Sequence, residues 1–257
     1  KNRHRLAREF EKAEKRAVED DELRRTLPHR SISFEKHVLP RHPCFPYETV
    51  SYSLQDFKEL IDTKTLFALN WKFGGTASRA KQGETREKLE ALFDQWIALA
   101  SQHQWIIPMG VFGVFPCYSE DDTLVVCDPE EPETELARFS FDRVIGSGRK
   151  DTISGAQYFL PKNGKTRDAV GLQIATSGPH VDQYVNKFRL EGDSESCLYL
   201  QGLSDRVAED MAEYLHSEVR RRLGFEPHHG VRWSPGYPAI SNTDYNQIGR
   251  ASWRERV

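Results

Sequence analysis

The stretch Leu203-Ser-Asp-Arg-Val-Ala-Glu-Asp-Met-Ala-Glu-Tyr-Leu-His216 has the clearest periodicity in the chain. A helix over residues 202–223 places its apolar side chains on one face, namely Leu203, Val207, Met211, Tyr214, Leu215 and Val219. The opposite face carries Glu209, His216 and Arg220. Gly224 follows as a natural helix stop. The stretch therefore predicts a long amphipathic helix that packs on a core.

The segments upstream of this helix predict the rest of the fold. Helices are predicted over residues 54–61, which deliver Asp62, over 84–104 and over 180–190. Strands are predicted over 105–115, 123–127, 136–141, 156–160 and 169–176, with Asp121-Asp122 as the turn between the first two. Because no strand–helix unit repeats, the pattern favours an α+β fold with a mostly antiparallel, twisted sheet flanked by helices.

Composition changes divide the chain into three parts. Residues 1–46 predict a charged helical linker followed by a proline-rich connector, since nine Lys/Arg and seven Asp/Glu fall within the first 27 residues. Residues 47–247 form the main domain, whose natural C-terminus we expect to be truncated. Residues 248–257 lack turn chemistry and an apolar face, so we interpret them as a non-native tail. A genuine basic tail is the alternative.

The bulk numbers exclude several classes of function. A net charge of −3 over 257 residues gives no reason to expect nucleic acid or an anionic membrane as partner. No apolar run approaches the roughly 20 residues that a membrane span requires. The four cysteines form no CxxC pair, which favours reduced thiols in a cytoplasmic protein.

The motifs of several common catalytic sites are incomplete or absent in this sequence. After Gly146-Ser-Gly148 the third glycine of a dinucleotide loop is replaced by Asp151. His228-His229 has no nearby third ligand, so a solvated pair is favoured over a metal site. The sequence contains neither a phosphate-binding P-loop nor a Gly-x-Ser-x-Gly elbow. Hydrolytic and phosphoryl-transfer chemistry therefore have no support.

A second informative stretch is Arg232-Trp-Ser-Pro-Gly-Tyr-Pro-Ala239. An arginine beside a Gly-Tyr-Pro turn places a guanidinium fork next to exposed backbone and an aromatic ring. This combination suits a small zwitterionic ligand that bears a ring. Read from the residues alone, however, the favoured interpretations are a surface ion pair for Arg232, a helix cap or turn residue for Asp62 and one acid on a solvated helix face for Glu209.

Three motifs in the same order resemble the activation domain of cobalamin-dependent methionine synthase. Gly110-Val-Phe-Gly-Val-Phe-Pro116 with the Asp121-Asp122 turn is similar to that family's Gly-Val-x-Gly-x-Phe-Pro strand and Asp-Asp turn. The helix at 203–216 resembles its Leu-Ala-Asp-Arg-Leu-Ala-Glu-x-x-Ala-Glu-x-Leu-His pattern. Gly230-Val-Arg-Trp-Ser-Pro-Gly-Tyr-Pro-Ala239 resembles Gly-Ile-Arg-Pro-Ala-Pro-Gly-Tyr-Pro-Ala, with Trp233 and Ser234 in place of Pro and Ala.

The resemblance implies S-adenosylmethionine as the ligand. It implies that Asp62 and Glu209 make the acidic contacts and that Arg232 holds the carboxylate. Gly236 and Tyr237 would line the adenosine side, and Ser234 is a further binding position in the same turn. The chemistry is consistent, because an ammonium and a sulfonium call for carboxylates and a carboxylate calls for arginine.

The resemblance also implies a function, a methyltransferase step in methionine biosynthesis. Bound S-adenosylmethionine would remethylate an oxidised cobalamin after its reduction, so the chain would need no catalytic acid, base or nucleophile. The implied partners are the cobalamin-binding domain, which would lie outside this chain, and a flavodoxin or flavoprotein reductase. The alternatives are a non-catalytic S-adenosylmethionine-binding module, a docking module for a corrinoid protein and a reductase, or a fragment without stable function.

Overall fold

The computed structural model describes residues 2–73, 82–163, 166–235 and 240. Contacts between Cα atoms divide the chain into two compact units. We call Phe45–Val114 with Gly171–His229 the helical unit. We call Lys1–Cys44, Phe115–Val170 and Gly230–Val257 the strand unit. The strands β2 and β7, defined below, have residues in both.

Antiparallel pairing dominates the sheets. The strands are β1 (Phe45–Ser51), β2 (Met109–Glu120), β3 (Thr123–Cys127), β4 (Glu135–Ser140), β5 (Val144–Ile145), β6 (Thr152–Ile153) and β7 (Asp168–Thr176). Hydrogen bonds join β1, β2, β3 and β4 in that order into a five-stranded sheet, in which β7 also pairs with β2, and β5 and β6 form a separate ribbon. The pairs β1–β2, β2–β3, β3–β4 and β5–β6 are antiparallel.

The described residues also form α-helices. They are α1 (Asn2–Thr26), α2 (Leu54–Phe57), α3 (Thr63–Thr65), α4 (Gln82–Gln102), α5 (Val181–Leu190) and α6 (Ser194–Leu223). Helix α6 begins earlier than predicted because Asp193 caps it, accepting a hydrogen bond from the Ser196 amide at 3.0 Å. It ends at Gly224, whose φ of 70° is left-handed, as predicted. The predicted α+β class is confirmed.

In the helical unit, α6 packs closely on β2. A Cβ atom added at Gly110 would lie 2.6 Å from Leu215 Cδ1, so glycine permits this approach. The predicted inner face of α6 is buried at Leu203, Val207, Met211, Leu215 and Val219. The sixth predicted residue, Tyr214, is half-buried, and its hydroxyl lies 2.6 Å from that of Tyr52.

In the strand unit, β2 and β3 form the predicted hairpin. Glu120 pairs with Thr123, and Asp121 takes the positive φ of 49° that this two-residue turn requires. The buried side chains of this hairpin are Cys117, Tyr118, Leu124, Val125, Val126 and Cys127. Helix α1 belongs to the same unit, where Asp20 is ion-paired with Arg149 at 2.7 Å.

Several predicted boundaries differ from the structure. The strand predicted over 156–160 is wrong: Gly155–Tyr158 is a 3₁₀ helix, because the Gln157 side chain accepts a hydrogen bond from the Ser154 amide and closes a turn there. The strand predicted over 105–115 runs instead from Met109 to Glu120. The helix predicted over 54–61 is α2 followed by a 3₁₀ turn at Lys58–Leu60.

None of the helices in the described part of the chain is long and apolar enough to cross a membrane. All four cysteines are free thiols.

Candidate functional site

Asp62 lies at a junction between two short helices of the helical unit. After the 3₁₀ turn, Ile61 is extended and Asp62 becomes the N-cap of α3. Its carboxylate accepts hydrogen bonds from the Thr65 amide at 3.1 Å and the Thr65 hydroxyl at 2.5 Å. The capping role weighed from the sequence is therefore confirmed, and Asp62 remains exposed.

These contacts keep the Asp62 side chain anionic. Hydrogen bonds from the Thr65 hydroxyl and amide, with a smaller contribution from the positive charge of Arg206, hold the pKa of Asp62 below its ordinary value. An exposed carboxylate of this kind suits a cationic ligand group.

Asp210 is a functional candidate that the sequence reasoning missed. One of its carboxylate oxygens accepts a hydrogen bond from the Asp62 backbone amide at 2.8 Å. Arg206, one helical turn earlier, contacts both oxygens, with Nε 2.9 Å from one and Nη2 2.7 Å from the other. Burial raises the pKa of Asp210, against the opposing effects of the Asp62 amide and Arg206. The sequence signal that could have identified Asp210 is an acidic residue on the side of α6 that faces the core.

Glu209 precedes Asp210 on α6 and lies on its exposed side, as the helical pattern predicted. Because the Asp62 amide is bonded to Asp210, the structure brings the Asp62 backbone to the part of α6 that carries Glu209. Asp62 and Glu209 thus both neighbour Asp210 in the helical unit, Asp62 through its backbone amide and Glu209 as the preceding residue of α6.

The arginine turn belongs to the strand unit. Arg232 is half-buried and donates a hydrogen bond from Nη1 to the Ser234 hydroxyl at 3.2 Å. The Trp233 ring packs edge-to-face on Tyr158, with 5.4 Å between ring centroids. Tyr158 ends the 3₁₀ helix that replaces the predicted strand. Gly236 and Tyr237, the other predicted residues of this turn, lie outside the described residues.

The donor set can be judged by its chemistry. Asp62 and Glu209 offer carboxylates to cationic groups, and Arg232 offers a guanidinium to a carboxylate. Within the described ranges, no cluster of three or more His, Cys, Asp or Glu side chains could hold a metal ion. The helical unit therefore supplies carboxylates suited to cationic groups, and the strand unit supplies a guanidinium suited to a carboxylate.

Comparison with known proteins gives this chemistry a family. The family described as vitamin B12 dependent methionine synthase, activation domain, matches residues 53–248. Methionine synthase of Mycobacterium leprae (strain TN) is 24% identical over 262 residues, covering 97% of this chain and 21% of that protein. The chain thus spans about one fifth of the length of this curated relative.

A solved structure agrees in fold. The crystal structure of the MetH reactivation domain bound to AdoHcy superposes with a TM-score of 0.72 at 22% identity, over 90% of this chain and 76% of that one. The family match begins at Ser53, the cap of α2, and runs through α6 and the arginine turn. The chain therefore belongs to the family of activation domains of vitamin B12-dependent methionine synthases.

Proposed function

We propose that this chain binds S-adenosylmethionine and serves to reactivate the cobalamin of a methionine synthase. Membership of the activation-domain family supports the proposal, as does the AdoHcy bound in the solved relative, since S-adenosylhomocysteine is what remains of S-adenosylmethionine after methyl loss. The observation that carries the proposal in this chain is the exposed Asp62 carboxylate, which hydrogen bonds from the Thr65 amide and hydroxyl hold at the start of α3.

In this proposal each polar residue meets a complementary group of the ligand. The carboxylates of Asp62 and Glu209 attract the ammonium and the sulfonium. Arg232 donates to the ligand carboxylate, and Ser234 steadies the guanidinium through its hydroxyl. Gly236 and Tyr237 are proposed for the adenosine side. The ligand supplies a methyl group, and the chain contributes binding and orientation.

The proposed partners follow from the family. A cobalamin-binding domain must present the acceptor of the methyl group, and we propose that a flavodoxin or flavoprotein reductase supplies the electron that precedes methylation. The proposed activity is therefore one methyl-transfer step within a methionine synthase, and the complete reaction requires domains beyond the segment described here.

Replacement of Arg232 tests the proposal directly. Arg232→Ala should weaken S-adenosylmethionine binding by roughly 2–4 kcal/mol, because the ligand carboxylate loses a charge-assisted donor. Arg232→Lys should recover only part of the loss, since lysine lacks the planar fork. Isothermal titration calorimetry of the purified chain measures both.

Arg86→Ala is the matched control, because Arg86 is an exposed arginine on α4 whose ion pair is with Glu90. Its affinity should equal that of the unmodified chain. Failure of the unmodified chain to bind S-adenosylmethionine would refute the proposed function. Unchanged affinity in Arg232→Ala would refute only the role of Arg232.

A further inference from the structure

The buried carboxylate of Asp210 is an unusual feature of the inner side of α6. Asp210 is only 8% exposed, and its neighbours on this side of the helix include the buried apolar residues Val207 and Met211. A buried carboxylate is costly unless it is paired and hydrogen-bonded. Asp210 meets this requirement with two partners, the Arg206 guanidinium and the Asp62 backbone amide.

We infer that Asp210 is a positioning residue that holds Asp62 in place for the ligand's cationic groups. The inference rests on the proposed function, because Asp62 is the proposed ligand contact. Asp210 itself acts only through the Asp62 backbone.

The hydrogen bonds around Asp62 explain why one more contact matters. On its C-terminal side the residue is well held: the Asp62 carbonyl accepts from the Leu66 amide at 3.0 Å, and its side chain caps Thr65. On its N-terminal side the chain leaves the 3₁₀ turn through the extended Ile61. The Asp62 amide bond to Asp210 at 2.8 Å ties this side to α6. Without it, the N-terminal side of the cap would be held only by Ile61, which is buried and whose amide donates to the Lys58 carbonyl at 3.2 Å.

Arg206 makes the anchor electrostatically neutral. The guanidinium and the carboxylate of Asp210 form an ion pair one helical turn apart, with their side chains 14% and 9% exposed. Because the pair sums to zero charge, its replacement by neutral side chains leaves the net charge near Asp62 unchanged. Position can therefore be tested separately from attraction between charges.

Two charge-neutral double variants isolate the anchor. Arg206→Gln with Asp210→Asn keeps a side-chain oxygen that can accept from the Asp62 amide. Arg206→Met with Asp210→Leu keeps a long side chain at 206 and the branched shape at 210 but removes the acceptor, and apolar replacements of a buried ion pair commonly preserve folding. The Met/Leu variant should bind S-adenosylmethionine on the order of tenfold more weakly, and the Gln/Asn variant within about threefold of the unmodified chain.

Calorimetry gives the affinities, and hydrogen exchange of the Asp62 amide, followed by NMR, reports the anchor itself. That amide should be protected in the unmodified chain and in the Gln/Asn variant and exposed in the Met/Leu variant. Asp205→Ala replaces an exposed acid five residues earlier on α6, so it is the control and should change neither measurement. A Met/Leu variant that melts like the unmodified chain and binds S-adenosylmethionine equally well overturns the inference.

The exchange measurement also separates this inference from the proposed function. If the unmodified chain binds no S-adenosylmethionine, the proposed function fails, whatever the amide shows. If it binds and the amide loses protection without loss of affinity, the proposed function stands and the positioning role is refuted.

Discussion

At the scale of single residues, Glu218 shows how neighbouring arginines stabilise a charged side chain of the fold. It lies near the C-terminal end of α6, where its carboxylate contacts Arg221 and, at 3.0 Å, Arg222. Arg222 also pairs with Glu48 of β1 at 2.6 Å. The hydrogen bond from Arg221 is the main reason that the pKa of Glu218 falls to about 2, and Arg222 adds to it. The charged form of Glu218 therefore stabilises the helical unit.

The sign of the pH dependence follows from this depressed pKa. Glu218 contributes its full stabilisation above the ordinary glutamate pKa of 4.5 and loses it as the pH falls towards about 2. Glu218→Gln should therefore lower the free energy of unfolding at pH 7 by on the order of 2 kcal/mol. The difference from the unmodified chain should shrink between these two pH values. Urea titrations at several pH values measure it, and a pH-independent difference would contradict the expectation.

Residue-level prediction from the sequence succeeded where a side chain has one local role. The helical pattern placed Glu209 on the exposed side of α6, and the capping alternative for Asp62 was confirmed. Asp210 was missed because its role depends on a residue 148 positions earlier in the chain. Periodicity reports which face of a helix a residue occupies but not which distant amide it will meet.

At the scale of elements, the junction between α6 and the segment after Asp62 is closely packed. Leu66–Asn70 forms a π-helical turn, and Trp71 follows, buried, with its indole N–H donating to the Tyr199 carbonyl at 3.0 Å. Gly202 of α6 faces this indole. A Cβ atom there would lie 2.7 Å from Trp71 Cδ1. Gly202 therefore lets the two elements approach each other.

Gly202→Ala should destabilise the chain although alanine favours helices. Helix propensity alone would add up to about 1 kcal/mol of stability. The contact with the buried indole should outweigh that gain and lower the free energy of unfolding by roughly 1–3 kcal/mol. Gly148→Ala is the control, because no atom lies within 4 Å of a Cβ there. Thermal melts of both variants measure the change in stability. A Gly202→Ala protein more stable than the unmodified chain would contradict the expectation and show that the Trp71 indole moves aside.

Element prediction was most accurate for long periodic segments. The helix predicted over 84–104 is α4 (Gln82–Gln102), and the strand predicted over 123–127 is β3. Predictions for short segments were less accurate. Strand β1 begins in the predicted connector and continues into the main domain. Gly155–Tyr158 is a 3₁₀ helix where the sequence predicts a strand. In these segments hydrogen bonds, such as the one from Ser154 to Gln157, decide the conformation.

At the scale of the whole molecule, family membership depended on the order of several motifs rather than on any one residue. The strand at Gly110–Pro116, the helix at 203–216 and the turn at Gly230–Ala239 occur in the family's order, and the family match over 53–248 confirms the resemblance. Physical reasoning supplied the charges that the ligand requires. The identity of the proposed ligand came from the resemblance, because carboxylates and a guanidinium suit many zwitterions.

Binding of S-adenosylmethionine should stabilise the folded chain by mass action. At a free ligand concentration of about 100 times Kd the gain is about 2.7 kcal/mol, which corresponds to a rise in melting temperature of roughly 5–10 °C for a chain of this size. Differential scanning calorimetry with increasing ligand measures the shift. Adenosine alone, which lacks the amino acid, serves as control and should produce a much smaller rise. Equal shifts for both ligands would mean that the carboxylates and Arg232 contribute nothing.

The contact between Trp233 and Tyr158 has a consequence for how the arginine turn keeps its shape. Where the family pattern has proline, a covalent ring limits backbone rotation whether or not the protein is folded. In this chain the same position carries an indole that rests on a phenol from 75 residues earlier. That restraint exists only while the Tyr158 segment is itself in place. Local melting of the Tyr158 segment would therefore remove this restraint on the loop beside Arg232.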